Sequence, residues 1–171
     1  LQSAVATSFP SMAVRGESTQ LVNVKAVSEG YPLRGKLRII AAGSTEEQET
    51  SAIPTPGTLW VAPRLLDILG VALGDKLELG AVEFSIAASI VQESDNALDF
   101  MNVAPRVLIN QRDLQATGLL GVGSRVSHRL LLAGSNESVA SYRKWAEPKL
   151  GAGERLERGR KSAAHDSREV G

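Results

Sequence analysis

Apolar and polar side chains alternate along much of this chain. Over residues 21–27 the alternation places Leu21, Asn23, Lys25 and Val27 on one face and Val22, Val24 and Ala26 on the other, the period-two pattern of a strand. Residues 9–14 are expected to pair with it as a hairpin, since Gly16, Glu17 and Ser18 supply turn chemistry between them. The segment 30–35, with Tyr31 and Pro32 between two glycines, then bends the chain, and residues 37–40 form another short apolar run. Residues 41–51 carry Glu46, Glu47 and Glu49 without periodicity and read as a solvated loop.

The pattern sharpens after Thr58. Residues 59–70 and 107–118 both read as a strand, a cap, a short helix and a stopping glycine. Pro63 suits a first helical position, where its missing N–H costs nothing, and Gly70 and Gly118 suit the left-handed residue after a helix. Asn110 is expected to cap the second helix, with Asp113 in its first turn. Between the two blocks, residues 76–79 and 82–90 alternate as strands joined at Gly80-Ala81, and the even positions from Val82 to Ile90 face a core. Residues 92–102 read as a polar loop that nevertheless contains Leu98, Phe100 and Met101. Residues 125–133 give a further strand, 138–147 a helix ended by Pro148, and 154–158 a last edge strand. Many strands with a few short helices, in no regular βαβ rhythm, make an α+β protein.

Composition narrows the function. The 171 residues carry 19 Lys and Arg against 19 Asp and Glu, so no global positive field draws the chain to nucleic acid. With 4% aromatic residues there is no stacking platform for single strands either. The absence of cysteine removes disulfides, thiolate metal sites and thiol nucleophiles. No run approaches the roughly 20 apolar residues that span a bilayer, and the first 14 residues lack the basic start and apolar core of a signal peptide.

No constellation of residues along the chain marks an enzyme. No Gly-x4-Gly-Lys-Ser/Thr loop is present, and Gly121-Val122-Gly123-Ser124-Arg125-Val126 lacks the third glycine of a dinucleotide fingerprint and precedes a strand, so it reads as a turn. No Gly-x-Ser-x-Gly elbow occurs. His128 shares a strand face with Val126 and Leu130 and reads as a partly buried sheet residue, with no nucleophile or orienting carboxylate marked beside it. His165 lies in a polar tail. Glu93, Asp95 and Asp99 lack the calcium-loop frame. Asn136-Glu137-Ser138 matches a glycosylation sequon, yet the same residues read as helix caps. Tyr142 and Trp145, three apart on a helix, mark its packing face, and Trp60 belongs to a core. No catalytic, cofactor-binding or metal-ligating residue is assigned.

Several ordered segments carry a family likeness: residues 20–27 followed by Gly30-Tyr31-Pro32-Leu33-Arg34-Gly35, then Pro56-Gly57-Thr58-Leu59-Trp60-Val61, Leu73-Gly74-Asp75-Lys76-Leu77-Glu78-Leu79-Gly80, residues 105–110 and 113–119, and Gly123-Ser124-Arg125-Val126. Together they cover about residues 9–158 and make the chain resemble the first periplasmic domain of bacterial ABC-transporter permeases of the FtsX-like, MacB/LolC superfamily, YbbP type. The resemblance implies a two-lobed core. Residues 1–54 and 121–158 would form a mixed platform, residues 55–120 an inserted β-rich lobe, and residues 159–171 a polar tail leading toward the next membrane helix. It also implies a strand and helix ahead of the present start, whose absence would leave a sheet edge open.

The function implied is mechanical, with no enzyme activity and no cofactor in the domain. A cytoplasmic ATPase subunit drives the permease of an inner membrane, and the periplasmic domain relays that motion to hydrophobic or lipid-like substrates. A periplasmic esterase or lipase-type hydrolase is the further partner implied. The alternative is a ligand-binding or hydrolase-scaffolding module with no transport role of its own. Apolar residues within loop-like segments, Tyr31, Pro32, Leu98, Phe100 and Met101, are the expected partner contacts.

Overall fold

The computed structural model describes residues 1–92, 104–120 and 125–157. The expected opening hairpin is present: β1 (Gln2–Arg15) and β2 (Ser18–Val27) pair antiparallel from Arg15 opposite Ser18 to Ala6 opposite Val27. Next come β3 (Leu37–Ala41) and β4 (Gln48–Thr50). The acidic 41–51 segment is therefore not loop throughout, because residues 48–50 pair with β3. Their lack of an apolar stripe reflects position, since β4 lies at the outer edge of the sheet, where no core demands one.

β5 (Thr58–Val61) runs into α1 (Pro63–Leu69), which starts on Pro63 as expected and ends where Gly70, at φ 62°, donates its N–H to the Leu66 carbonyl. β6 (Lys76–Leu79) and β7 (Val82–Gln92) form the expected hairpin over Gly80-Ala81. After β8 (Arg106–Asn110), Asn110 caps as expected, its Oδ1 accepting the Arg112 N–H at 2.9 Å. The capped segment is only a 3-10 turn, Gln111–Asp113, and the Asp113 carboxylate accepts the Gly57 N–H at 2.9 Å. β9 (Ser127–Ala133) leads to α2 (Asn136–Ala146), whose cap is Ser135, one residue ahead of the sequon, with Oγ accepting the Ser138 N–H at 3.1 Å. A 3-10 turn, Glu147–Lys149, ends it. No strand forms over residues 154–157, where Arg129 and Glu157 approach at 3.9 Å instead.

All nine strands of the described residues join one sheet in the order β4-β3-β7-β5-β8-β2-β1-β6, with β9 added to β1. Because β6 also pairs with β7, the six strands β7-β5-β8-β2-β1-β6 close on themselves as a small barrel. Phe9, Val22, Val24, Leu59, Leu77, Phe84, Ile86 and Ile109 pack in its core. The same wall carries a second core on its other face, built from Ala4, Ala6, Val27, Tyr31, Leu37, Trp60 and Leu108. Trp60 is thus a core residue, as its strand position implies.

The even positions of β7 do face a core, but not the same one. Phe84 and Ile86 belong to the barrel core, Ala88 and Ile90 to the second. The register against β5 shifts between Leu59, opposite Ile86, and Trp60, opposite Ala88. One extra residue, Ala87, moves every later side chain to the opposite face.

The sequence-based boundaries at residues 55 and 120 fall inside this continuous sheet. β2 pairs with β8 and β1 with β6 across them, and both cores draw side chains from each side. Loops break the chain's hydrophobic pattern at those points. They do not break backbone pairing, which ignores sequence distance.

Glu78 and Glu83 stand opposite each other across β6 and β7, both exposed. Facing like charges destabilise a strand pair, so Glu83→Lys is expected to raise unfolding free energy by about 0.5 kcal/mol. Urea midpoints at low and high salt check this, since the gain should shrink with screening.

Candidate functional site: partner-facing surfaces

The sequence-derived contact residues separate once they are placed. Tyr31 is fully buried in the second core, with its hydroxyl accepting a 2.7 Å hydrogen bond from Lys25 Nζ and the ammonium 4.7 Å from its ring centroid. It is a packing residue, not a contact. A bend bounded by glycines looks like a surface turn in sequence, but this one folds its aromatic ring inward against β2. Pro32, joined to Tyr31 by a cis peptide, is half-buried. Leu98, Phe100 and Met101 lie outside the described residues, as do Glu93, Asp95, Asp99 and His165.

His128 and Leu130 differ from expectation. Both are exposed, Leu130 at 58%, because β9 is an edge strand paired to β1, and only its end, at Leu131 and Ala133, turns inward, with Leu131 packed on the second core. His128 Nδ1 lies 3.2 Å from the Oγ1 of Thr7, its register partner on β1. Thr7 is buried and His128 exposed, and among the described residues no carboxylate is hydrogen-bonded to the imidazole to orient it for proton transfer. Among the described residues no three His, Cys, Asp or Glu side chains converge as a metal site.

The surface that does stand out is α2. Only Ala146 of this helix is buried, whereas Trp145 is 57% exposed and Val139 is also open. Tyr142 and Trp145 stack obliquely, with centroids 5.6 Å apart, and Lys149 Nζ lies 4.1 Å from the Trp145 ring centroid. The rings contact each other and an ammonium rather than the core expected of them. Leu1, Ser141, Tyr142 and Trp145 help line an open groove of about 600 Å³ there. The spacing of Val139, Tyr142 and Trp145 is legible in sequence. Their exposure is not, because it depends on what the helix packs against.

The fold as a whole is similar to that of known proteins. No family model matches the chain. Over 142 residues, 83% of its length, it is 34% identical to the ABC transporter permease YbbP of Escherichia coli K12. In fold it resembles the extracellular domain of the noncanonical ABC-type transporter YknZ from Gram-positive bacteria, with TM-score 0.56 at 12% identity, over 86% of this chain and 75% of that one. The periplasmic region of MacB from Actinobacillus actinomycetemcomitans gives TM-score 0.52 at 12% identity, over 87% and 67%. The chain belongs with the ABC transporter permeases in sequence, and its fold is similar to the extracellular and periplasmic domains of two such transporters. It spans 17% of the length of YbbP. Among the described residues no helix is long and apolar enough to cross a membrane. The mixed fold, with many strands and few helices, is that of these permease domains.

Proposed function

We propose that this domain works as a mechanical part of its permease, relaying ATP-driven motion of the membrane helices to move hydrophobic or lipid-like molecules out of the inner membrane. The observation that carries this reading is the 34% identity to a permease over most of the chain. In this reading ATP is hydrolysed by a separate cytoplasmic subunit, and the domain contributes shape and stiffness rather than chemistry. A periplasmic esterase- or lipase-type hydrolase is the partner proposed on the far side, and the open aromatic face of α2 offers it a surface.

The test uses the full-length permease with its ATPase in proteoliposomes containing a fluorescent phosphatidylglycerol as the probe. Removing the domain is expected to leave basal ATP hydrolysis in place while abolishing ATP-dependent extraction of the probe. Extraction at the undiminished rate without the domain would overturn the proposal.

A further inference from the structure

We infer that residues 9–22, the outer half of the β1–β2 hairpin, form a flap that is latched by β6 and opens by itself to uncover the barrel core. On the β1 side, pairing with β9 ends at Ser8, and pairing with β6 is confined to Ala13 opposite Leu79 and Val14 opposite Glu78. On the β2 side, pairing with β8 starts at Asn23, where the Asn23 N–H donates to the Pro105 carbonyl at 2.8 Å. Among the described residues, one further hydrogen bond joins the flap to the rest of the domain, from Arg15 Nη1 to the Lys76 carbonyl at 2.9 Å. The hairpin's own ladder, in contrast, is unbroken from Phe9 opposite Val24 to Arg15 opposite Ser18.

Packing divides the hairpin in the same way. Phe9 and Val22, both buried in the barrel core, stand beside the two hinge points and move least when the flap tilts. From Pro10 to Leu21 only Ala13 is buried, and Met12 and Leu21 face solvent. A stretch that keeps its own ladder, but is held to its surroundings by two strand positions and one small side chain, opens at lower cost than the sheet as a whole. Lifting it breaks the barrel at β6 and uncovers Leu77, Leu79 and Phe84, which line the core behind the latch.

The chain contains no cysteine, so one buried thiol can report the opening. In the full-length permease, with cysteines elsewhere replaced, Ala13→Cys is expected to react with N-ethylmaleimide about tenfold faster than Ala26→Cys, as read by mass spectrometry. Both alanines are fully buried in the barrel core, but Ala26 lies beyond the hinge, opposite Ile109 of β8.

Two metal staples then locate the opening. Val14→His with Glu78→His bridges the latch, and Met12→His with Leu21→His bridges the ladder inside the flap. Each pair faces across adjacent strands, close enough for two histidines to hold Ni²⁺. A ligand that binds only the closed form suppresses opening by mass action, so Ni²⁺ at the latch is expected to slow Ala13→Cys labelling about tenfold. Ni²⁺ on the ladder is expected to leave that rate unchanged, because the ladder stays intact in the open flap.

Equal slowing by the two staples means that the hairpin comes apart or the whole domain unfolds, and overturns the inference. Failure of the latch staple to slow labelling overturns it as well, as does labelling of Ala13→Cys no faster than Ala26→Cys. Where Ala13→Cys does not fold, Leu79→Cys, buried on the other side of the latch, takes its place against the same staples. No nucleotide or substrate enters these measurements, so the flap stands or falls apart from the mechanical role proposed above.

Discussion

Gly80→Ala is expected to lower the unfolding free energy by about 3 kcal/mol, against about 1 kcal/mol for Gly43→Ala. Both glycines have positive φ, +56° and +83°, so both substitutions place a side chain in a backbone conformation it disfavours. They differ in surroundings. Nothing lies within 4 Å of a Cβ at Gly43, whereas one at Gly80 would overlap the Thr117 carbonyl oxygen and press on the Leu119 side chain. That carbonyl cannot simply retreat. It accepts the Ala81 N–H at 2.9 Å, and Thr117 is buried with its hydroxyl donating to the Leu114 carbonyl at 2.6 Å. Urea unfolding at constant slope measures both losses, and equal losses would show that the close approach carries no weight.

Tyr31→Ala is expected to cost about 4 kcal/mol, since it empties a fully buried aromatic site. Tyr31→Phe keeps the ring under the Lys25 ammonium and removes only the hydroxyl that accepts its hydrogen bond, with an expected loss of about 1.5 kcal/mol. The pair of variants separates core from contact. A contact residue would leave the melting temperature nearly unchanged and weaken partner pull-down, and that result would return Tyr31 to the surface.

Much of the fold is legible in local pattern alone. The β1–β2 and β6–β7 hairpins come from alternation plus glycine-bearing turns, and α1 from Pro63 and Gly70 at its ends, because these are local rules that a few residues satisfy by themselves. The second helix shrank to one turn although Asn110 caps it, since a cap starts a helix without prolonging it. The site was less legible. The sequence marks Tyr31 as apolar in a bend and Trp145 as aromatic on a helix, and their burial is the reverse of that expectation.

Local chemistry thus settles which residues form strands, turns and caps, and the absence of cysteine and of phosphate-binding loops restricts function before folding is considered. Closure of six strands into a barrel, the second core on its outer face and the passage of β1 between them belong to the folded molecule. Alternation says that a strand has two faces but not what each will meet. At Ala87 a single extra residue exchanged those faces, and at β9 an edge position left Leu130 in water. Pairings between residues distant in sequence, such as Lys25 opposite Leu108, carry no local signature, since backbone hydrogen bonding is the same for every partner.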